Sequence, residues 1–477
     1  MMGLQIVVLW SDMLIWLLVA SGLGLGVLIA KSPPLLAAWR RVGANWVGIA
    51  SATVLLGFIV IGLLDSLHYR LALESKPGEK AIYAIEVLSA LDALAMPLRT
   101  RNEKTYSEPF ATRLYAKETI DVPGQGSVRE YPRLKHGGSH LGEREDEVAA
   151  DVWLTAFRAG VLALLVWLAL AGGITATLAR QNVAPQGYVL TGAVHGEIWA
   201  KIWRGDTAFA WNALLITLGL MLLLAGPLFA LAGQYHVFGT DKVGQDVLYQ
   251  ILKSVRTGLI IGLVTTLVML PMAVLLGIVA GYFRGWVDDV IQYLYTVLNS
   301  IPGVLLIAAA VLMMQVVIDT HPQWFSTAAE RADLRLLALC FILGITSWTG
   351  LCRLLRGETL KLRELEYIQA AQAFGVSNWR IIIRHILPNL MHIVIIALVM
   401  DFSGLVLAEA VLSYVGIGVD PTMTSFGTMI NNARMELGRE PVVWWSLAAA
   451  FSAMFVLVLA ANLFADAVRD AFDPRAA

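Results

Sequence analysis

The sequence predicts an all-α fold, a polytopic membrane helical bundle, and three observations carry that reading. Of the 477 residues, 58% are hydrophobic and only 15% charged, against roughly 45–50% and about 25% in an ordinary soluble domain. The apolar residues are gathered into long runs with few or no charges, and about 20 such residues make a helix long enough to cross a hydrocarbon core roughly 30 Å thick. The charges are segregated too. The net charge of -1 conceals that more than a third of the 35 basic and 36 acidic residues fall between Asp65 and Asp151, an interval that must sit in water.

Taken in order, the runs are Met13 to Ala30, Val42 to Leu64, Ala159 to Ala179, Thr207 to Tyr235, Thr257 to Phe283, Val290 to Ile318, Leu336 to Cys352, Pro388 to Ile417 and Pro441 to Phe464. No basic residue precedes the first and Lys31 follows it, a pattern unlike a cleaved signal peptide. Basic residues in short loops stay on the cytoplasmic side. Lys31, Arg40 and Arg41 mark one such loop, and Arg353, Arg356, Lys361, Arg363, Arg380 and Arg384 mark the loop after the seventh run. Both markers place the N-terminus and the segment 65–151 outside and the C-terminus inside. That outer segment carries Pro77-Gly78, Pro123-Gly124, Gly126 and Gly137-Gly138, with an apolar patch from Ile82 to Leu94 that suits a helix, and it reads as a small folded cap rather than a bare loop. Pro271 and Pro302 fall inside runs, where a missing donor bends or breaks a helix, facing either a pathway or lipid. Cys340 and Cys352, twelve residues apart in one predicted helix, are separated by about 18 Å and cannot bridge within it. They read as packing residues.

The most informative stretch is Glu366 to Asn389, EYIQAAQAFGVSNWRIIIRHILPN. Leu365 to Phe374 favours a short helix, Gly375 permits the turn that ends it, and Asn378 to Ile386 favours a second helix stopped at Pro388. Small residues at Ala370, Ala371 and Gly375 would let another backbone approach closely. Spacing alone leaves two readings open, a docking knob for a partner or an interfacial helix pair joining two spans.

Resemblance separates them. The stretch is similar to the EAA loop of ABC importer permeases, whose pattern is E-A-A, three residues, G, nine residues and I-x-L-P. Gln369, Ala370, Ala371, Gly375, Leu387 and Pro388 take those places, with Gln369 in place of the Glu and His385 in place of the Ile. Phe238 to Val247 resembles the GTDxxGRD segment of the same family, with Gln245 for the Arg, and Gly281 to Asp288 resembles its GYYGGxVD turn. Ala408 to Gly418 and Arg469 to Arg475 resemble its closing signatures. The chain is thereby identified as a member of the dipeptide, oligopeptide and nickel group of type I importers, similar to the C-type subunit. The resemblance implies a six-span core with three extra spans: 1–43 an additional span and cytoplasmic loop, 44–64 the first core span, 65–153 an extracytoplasmic insert, 154–236 two additional spans, and 237–477 the permease core with a coupling loop at 363–388.

It also implies a bacterial inner-membrane permease that imports di- or oligopeptides. The expected partners are a second, B-type permease, two ATP-binding subunits docked on the loop, and an extracytoplasmic solute-binding protein; no nucleic acid is expected. No G-x-x-x-x-G-K-[ST] occurs in the sequence, so this chain should bind no cofactor itself, with ATP and Mg held by the partner subunits. It is expected to be a transport subunit and not an enzyme. His321, His385 and His392 are scattered and predict no metal site. Asp401 and Glu409, acids at membrane depth, should face a pathway, a neighbouring helix or an interface. Asp241 and Asp246 are candidates for an external gate or a binding-protein contact, or else cap the helix that follows. A secondary transporter would show paired repeats, and a membrane enzyme would need a fuller set of reactive groups than Asp401 with Glu409.

Overall fold

The computed structural model describes residues 4–73, 82–122, 126–142, 144–183, 192–325 and 327–472. Among them, nine helices are long and apolar enough to cross a membrane, so the all-α bundle stands, joined by two small sheets that periodicity did not announce. Pro77-Gly78, Pro123-Gly124 and the Asp473 to Arg475 end of the closing signature lie outside the described residues.

The chain enters through strand β1 (Leu4–Val7) and helix α1 (Trp10–Lys31), turns through the short α2 (Pro33–Ala44), and returns along α3 (Trp46–Asp65). Asn45 ends α2 and caps α3, accepting the Gly48 N–H at 3.0 Å, which is why the predicted run Val42 to Leu64 starts four residues late. Because α1 and α3 run in opposite senses, β1 meets β2 (His68–Leu71) antiparallel, Leu4 opposite Leu71 and Val7 opposite His68. Strand β3 (Leu88–Ser89) completes this sheet. The predicted helix from Ile82 shrinks to α4 (Ala90–Leu94), because Leu88 and Ser89 pair with β2 and Ser89 supplies the N-cap, accepting from Asp92 N at 3.1 Å. Helix α5 (Met96–Thr100), the hairpin β4 (Glu118–Val122) and β5 (Gly126–Glu130), and two short 3₁₀ turns complete the insert. Helix α6 (Val148–Val183), the amphipathic α7 (Gly192–Arg204) and α8 (Trp211–Ala232) then lead back to the insert, where Gly138 N donates to Gln234 O at 3.0 Å.

The remaining helices gather round α9 (Val247–Phe283), whose 37 residues extend about 55 Å. Helix α10 (Gly285–Ser300) and α11 (Gly303–Thr320) replace the single predicted run Val290 to Ile318: Pro302 N-caps α11 instead of bending a continuous span, since its fixed φ suits a helix start and it needs no donor there. Helix α12 (Ala328–Ser347) and α13 (Thr349–Arg363) form one span interrupted at Trp348, with Cys340 and Cys352 both buried and free. After α14 (Glu366–Ala373) and α15 (Asn378–Ile381), the predicted stop at Pro388 does not occur. A single π turn, Ile382–Ile386, carries the chain into α16 (Leu387–Val415), with Leu387 N reaching back to Ile382 O. The wider turn absorbs a proline that would otherwise clash inside an α-helix. Helices α17 (Phe426–Glu436) and α18 (Trp445–Phe472) close the chain.

Candidate functional site

Helix α9 has the insert at one end and the EAA-like loop at the other. At the loop end, Tyr282 donates its hydroxyl proton to Asn378 Oδ1 at 3.0 Å, accepts from Gln372 Nε2 at 3.2 Å, and its carbonyl accepts from Arg363 Nη1 at 2.8 Å. Four isoleucines, Ile368, Ile381, Ile382 and Ile386, are buried in a cluster with Tyr282, Leu355 and Leu390, so the loop rests on α9 and α13. At roughly 25 cal/mol per Å², four such side chains hold it firmly against the bundle. Beside it Asp288, in the first turn of α10, accepts from Arg356 Nε and Nη2 at 2.6 and 2.7 Å, a bidentate pairing that fixes α10 against α13.

Of the predicted loop residues, Gln369 and Ala370 are exposed, and Gln369 Nε2 turns back to Glu364 O at 3.1 Å. Ala371 is half-buried against the isoleucine cluster. Gly375 is exposed with φ of 74°, a left-handed conformation that strains any residue with a Cβ. His385 lies 6.3 Å from the Tyr367 ring, Leu387 packs on the cluster, and Pro388 is exposed. The turn at Gly375 lifts Phe374, 87% exposed, away from the protein, with Tyr367, Trp379 and Ile383 also exposed on the same loop. Phe374 escaped the sequence reading because an aromatic beside a glycine reads as core; its exposure follows from the turn.

At the opposite end the acids are engaged inside the chain. Asp246 caps α9, accepting from Leu248 N at 2.8 Å, and its second oxygen lies 2.7 Å from His236 Nδ1. His236 Nε2 lies 3.4 Å from Glu103, which also accepts backbone N–H groups of Lys135, His136 and Gly137 at 2.7 to 3.1 Å. Burial alone would lower the His236 pKa, but Asp246 and Glu103 outweigh it and raise it to about 9. Burial likewise works against the Glu103 carboxylate, yet the His236 contact and the three amides hold it down at about 2. The group is a buried ionic clamp between insert and core. Glu103 N donates to Gly244 O at 2.9 Å, and a Cβ on Gly244, whose φ is 75°, would fall 1.9 Å from the Glu103 carbonyl oxygen. Asp241 stabilises its own turn, accepting from Val243 N and Gln245 N, each at 2.9 Å, and from Gln250. Sequence reasoning missed Glu103 and His236, 133 residues apart in the chain.

Within α16 the two acids differ. Glu409 is buried, accepting from Ser413 at 2.5 Å and from Ser425, the N-cap of α17, at 2.8 Å. It joins two helices. Asp401 is half-buried and receives no hydrogen bond or ion pair from the described residues. A third buried group, also unforeseen, ties α1 to the bundle: Arg256 donates to Asp12 at 2.6 Å and to Ser11 at 2.8 Å, and Asp333 accepts from Ser11 N at 3.0 Å. Among the described residues no group of three or more His, Cys, Asp or Glu is placed to hold a metal.

The family described as binding-protein-dependent transport system inner membrane component matches residues 273–477. Over 242 residues the chain is 34% identical to the glutathione transport system permease protein GsiD of Pectobacterium atrosepticum, covering 50% of this chain and 73% of that protein. It is 31% identical to the oligopeptide permease OppC of Mycobacterium bovis, covering 51% and 77%. Identity to the dipeptide permease DppC of Lactococcus lactis is also 31%, covering 50% of this chain and 64% of that protein. With its apolar helices and with GTD, GYF and EAA-like segments on the same bundle, the chain belongs to the peptide and nickel family of ABC importer permeases, a multi-pass membrane transport subunit without an ATPase site of its own.

Proposed function

We propose that this permease imports di- or oligopeptides released by an extracytoplasmic binding protein, together with a B-type permease and two ATP-binding subunits that dock on residues 366–388. The transport core is then α3, α9, α11, the α12–α13 span, α16 and α18. The observation that carries the reading is Phe374, presented in solvent by a left-handed glycine on a loop whose isoleucines are buried. An exposed aromatic on a rigid base is what a partner's pocket accepts. Gln369, Ala370, Ala371, Gly375, His385, Leu387 and Pro388 form or support that knob. ATP bound by the partners biases the permease because the ATPases grip the loop differently in the two states. The peptide class rests on the relatives, which are named as permeases for dipeptides, oligopeptides and glutathione.

In this arrangement the insert and the N-terminus face outward and the loop and C-terminus face the cytoplasm. The test is reconstitution of the chain with its co-purifying partners: peptide plus binding protein should stimulate ATP hydrolysis, and Gly375→Glu should abolish the stimulation while leaving protein level unchanged. Undiminished stimulation in Gly375→Glu removes the loop as the docking site. An impermeant thiol reagent on intact cells or spheroplasts should label Ser139→Cys and spare Ser377→Cys; the reverse pattern inverts the topology.

A further inference from the structure

Asp401 sits at the midpoint of α16, with about 21 Å of helix on either side. Two neighbouring positions face the protein: Phe402 packs in the core beside α9, and Ser403 donates to Asn462 of α18 at 2.6 Å. Asp401 lies at the edge of the other side, bordered by the exposed Met400, Leu407 and Val411. Three and four residues away along the helix, Ala397 and Gly404 flank it on one side and Leu398 and Leu405 on the other, with Ala408 one turn beyond Gly404. The Ala397–Gly404–Ala408 side is small, and a Cβ on Gly404 would meet nothing within 4 Å. The carboxylate therefore has open room beside it and no partner among the described residues. Glu409, two turns further on, has two serines. An acid left alone in hydrocarbon is costly enough that its counterpart must come from elsewhere.

We propose that Asp401 lines the transport pathway at mid-membrane and binds the positively charged α-ammonium group of the transported peptide, an assignment that rests on the peptide reading above. A carboxylate accepts an ammonium through charge-assisted hydrogen bonds. Ala397, Gly404 and Ala408 on one flank leave space for the end of a peptide but supply no second acid, so the contact orients the substrate without trapping it, as a conducting site requires.

The test uses the assembled importer, with Cys340 and Cys352 replaced by alanine for labelling. Asp401→Cys should react with a water-borne cationic thiol reagent, and a free-amine tripeptide should slow that reaction more than its Nα-acetylated form. Asp401→Asn should assemble normally, lower uptake of the free-amine tripeptide roughly 10-fold or more, the loss typical of one hydrogen bond to a charged group, and leave uptake of the acetylated tripeptide unchanged. Asp401→Glu should retain most of the preference. An unlabelled Asp401→Cys overturns the proposal in favour of a lipid-facing acid, and loss of assembly in Asp401→Asn overturns it in favour of a cation on the partner permease. Normal wild-type import with an indifferent Asp401→Asn overturns the ammonium assignment alone. A wild-type complex that imports neither peptide overturns the peptide reading and the assignment together.

Discussion

The two ends of α9 are held by opposite chemistries. At the insert end, Glu103, His236 and Asp246 are buried, charged and saturated with hydrogen bonds. At the loop end, Ile368, Ile381, Ile382 and Ile386 hold by apolar burial, while Phe374 and Trp379 stay in solvent. A buried ion pair is unforgiving, because removing one partner strands the other in a low dielectric, whereas an apolar surface can be covered and uncovered at modest cost. The insert end is a buried ionic joint, and the loop end an exposed apolar surface of the kind the proposed docking would cover.

The largest effect should come from removing one charge of the joint. Glu103→Gln takes the carboxylate away from three backbone N–H donors and leaves His236 with Asp246 alone, and should destabilise the insert by about 3 kcal/mol, read as a lower unfolding temperature and faster protease cleavage between residues 100 and 140. The loop should keep its cleavage pattern, and equal loosening at both ends would abolish the distinction. Acidity tests the same joint without mutation. His236, raised from 6.5 to about 9, contributes fully below pH 6.5, and that stability is lost as pH rises through about 9. Glu103, lowered from 4.5 to about 2, contributes above pH 4.5 and loses its share as pH falls through about 2. Protease resistance of the insert should thus be greatest between pH 4.5 and 6.5 and fall toward pH 9.

At the loop end the effects should be smaller and confined to association. Phe374→Asp should weaken ATPase binding by about 2 kcal/mol, as for an exposed anchor residue, with no change in the unfolding temperature of the chain alone. Gly375→Ala should cost about 1–2 kcal/mol of loop order from the left-handed backbone, visible as partial loss of stimulated hydrolysis. If Phe374→Asp unfolds the chain, the aromatic belongs to the core and the contrast fails.

Much of this architecture was legible before any coordinates, because length and apolarity decide a membrane helix almost alone. The helix–turn–helix of the loop was legible from Gly375 and its flanking segments, as α14, the left-handed Gly375 and α15 show, while its reading as a docking loop came only from the resemblance to the EAA pattern. Its continuation through Pro388 was not, since a π turn depends on how Ile382 and Ile386 are packed and no local propensity encodes it. Pro302 misled in the other direction: hydropathy runs straight across it, and only backbone geometry separates α10 from α11. The joint at Glu103 and His236 was invisible because its members come from distant segments, and a glutamate in a charged loop reads as a solvated side chain until the amides of Lys135, His136 and Gly137 are seen to surround it.

The length of α9 has a mechanical consequence. Its first turn is seated in the ionic joint through Asp246, and Tyr282, near its last residue, touches Gln372 and Asn378 of the loop. A straight rod of about 55 Å that tilts by about 10° about its midpoint sweeps each end through roughly 5 Å, close to the pitch of one helical turn. If α9 keeps its line past the interior Pro271, pulling on the loop would displace the insert by a similar distance in the opposite sense; a bend at Pro271 would instead take up part of that movement.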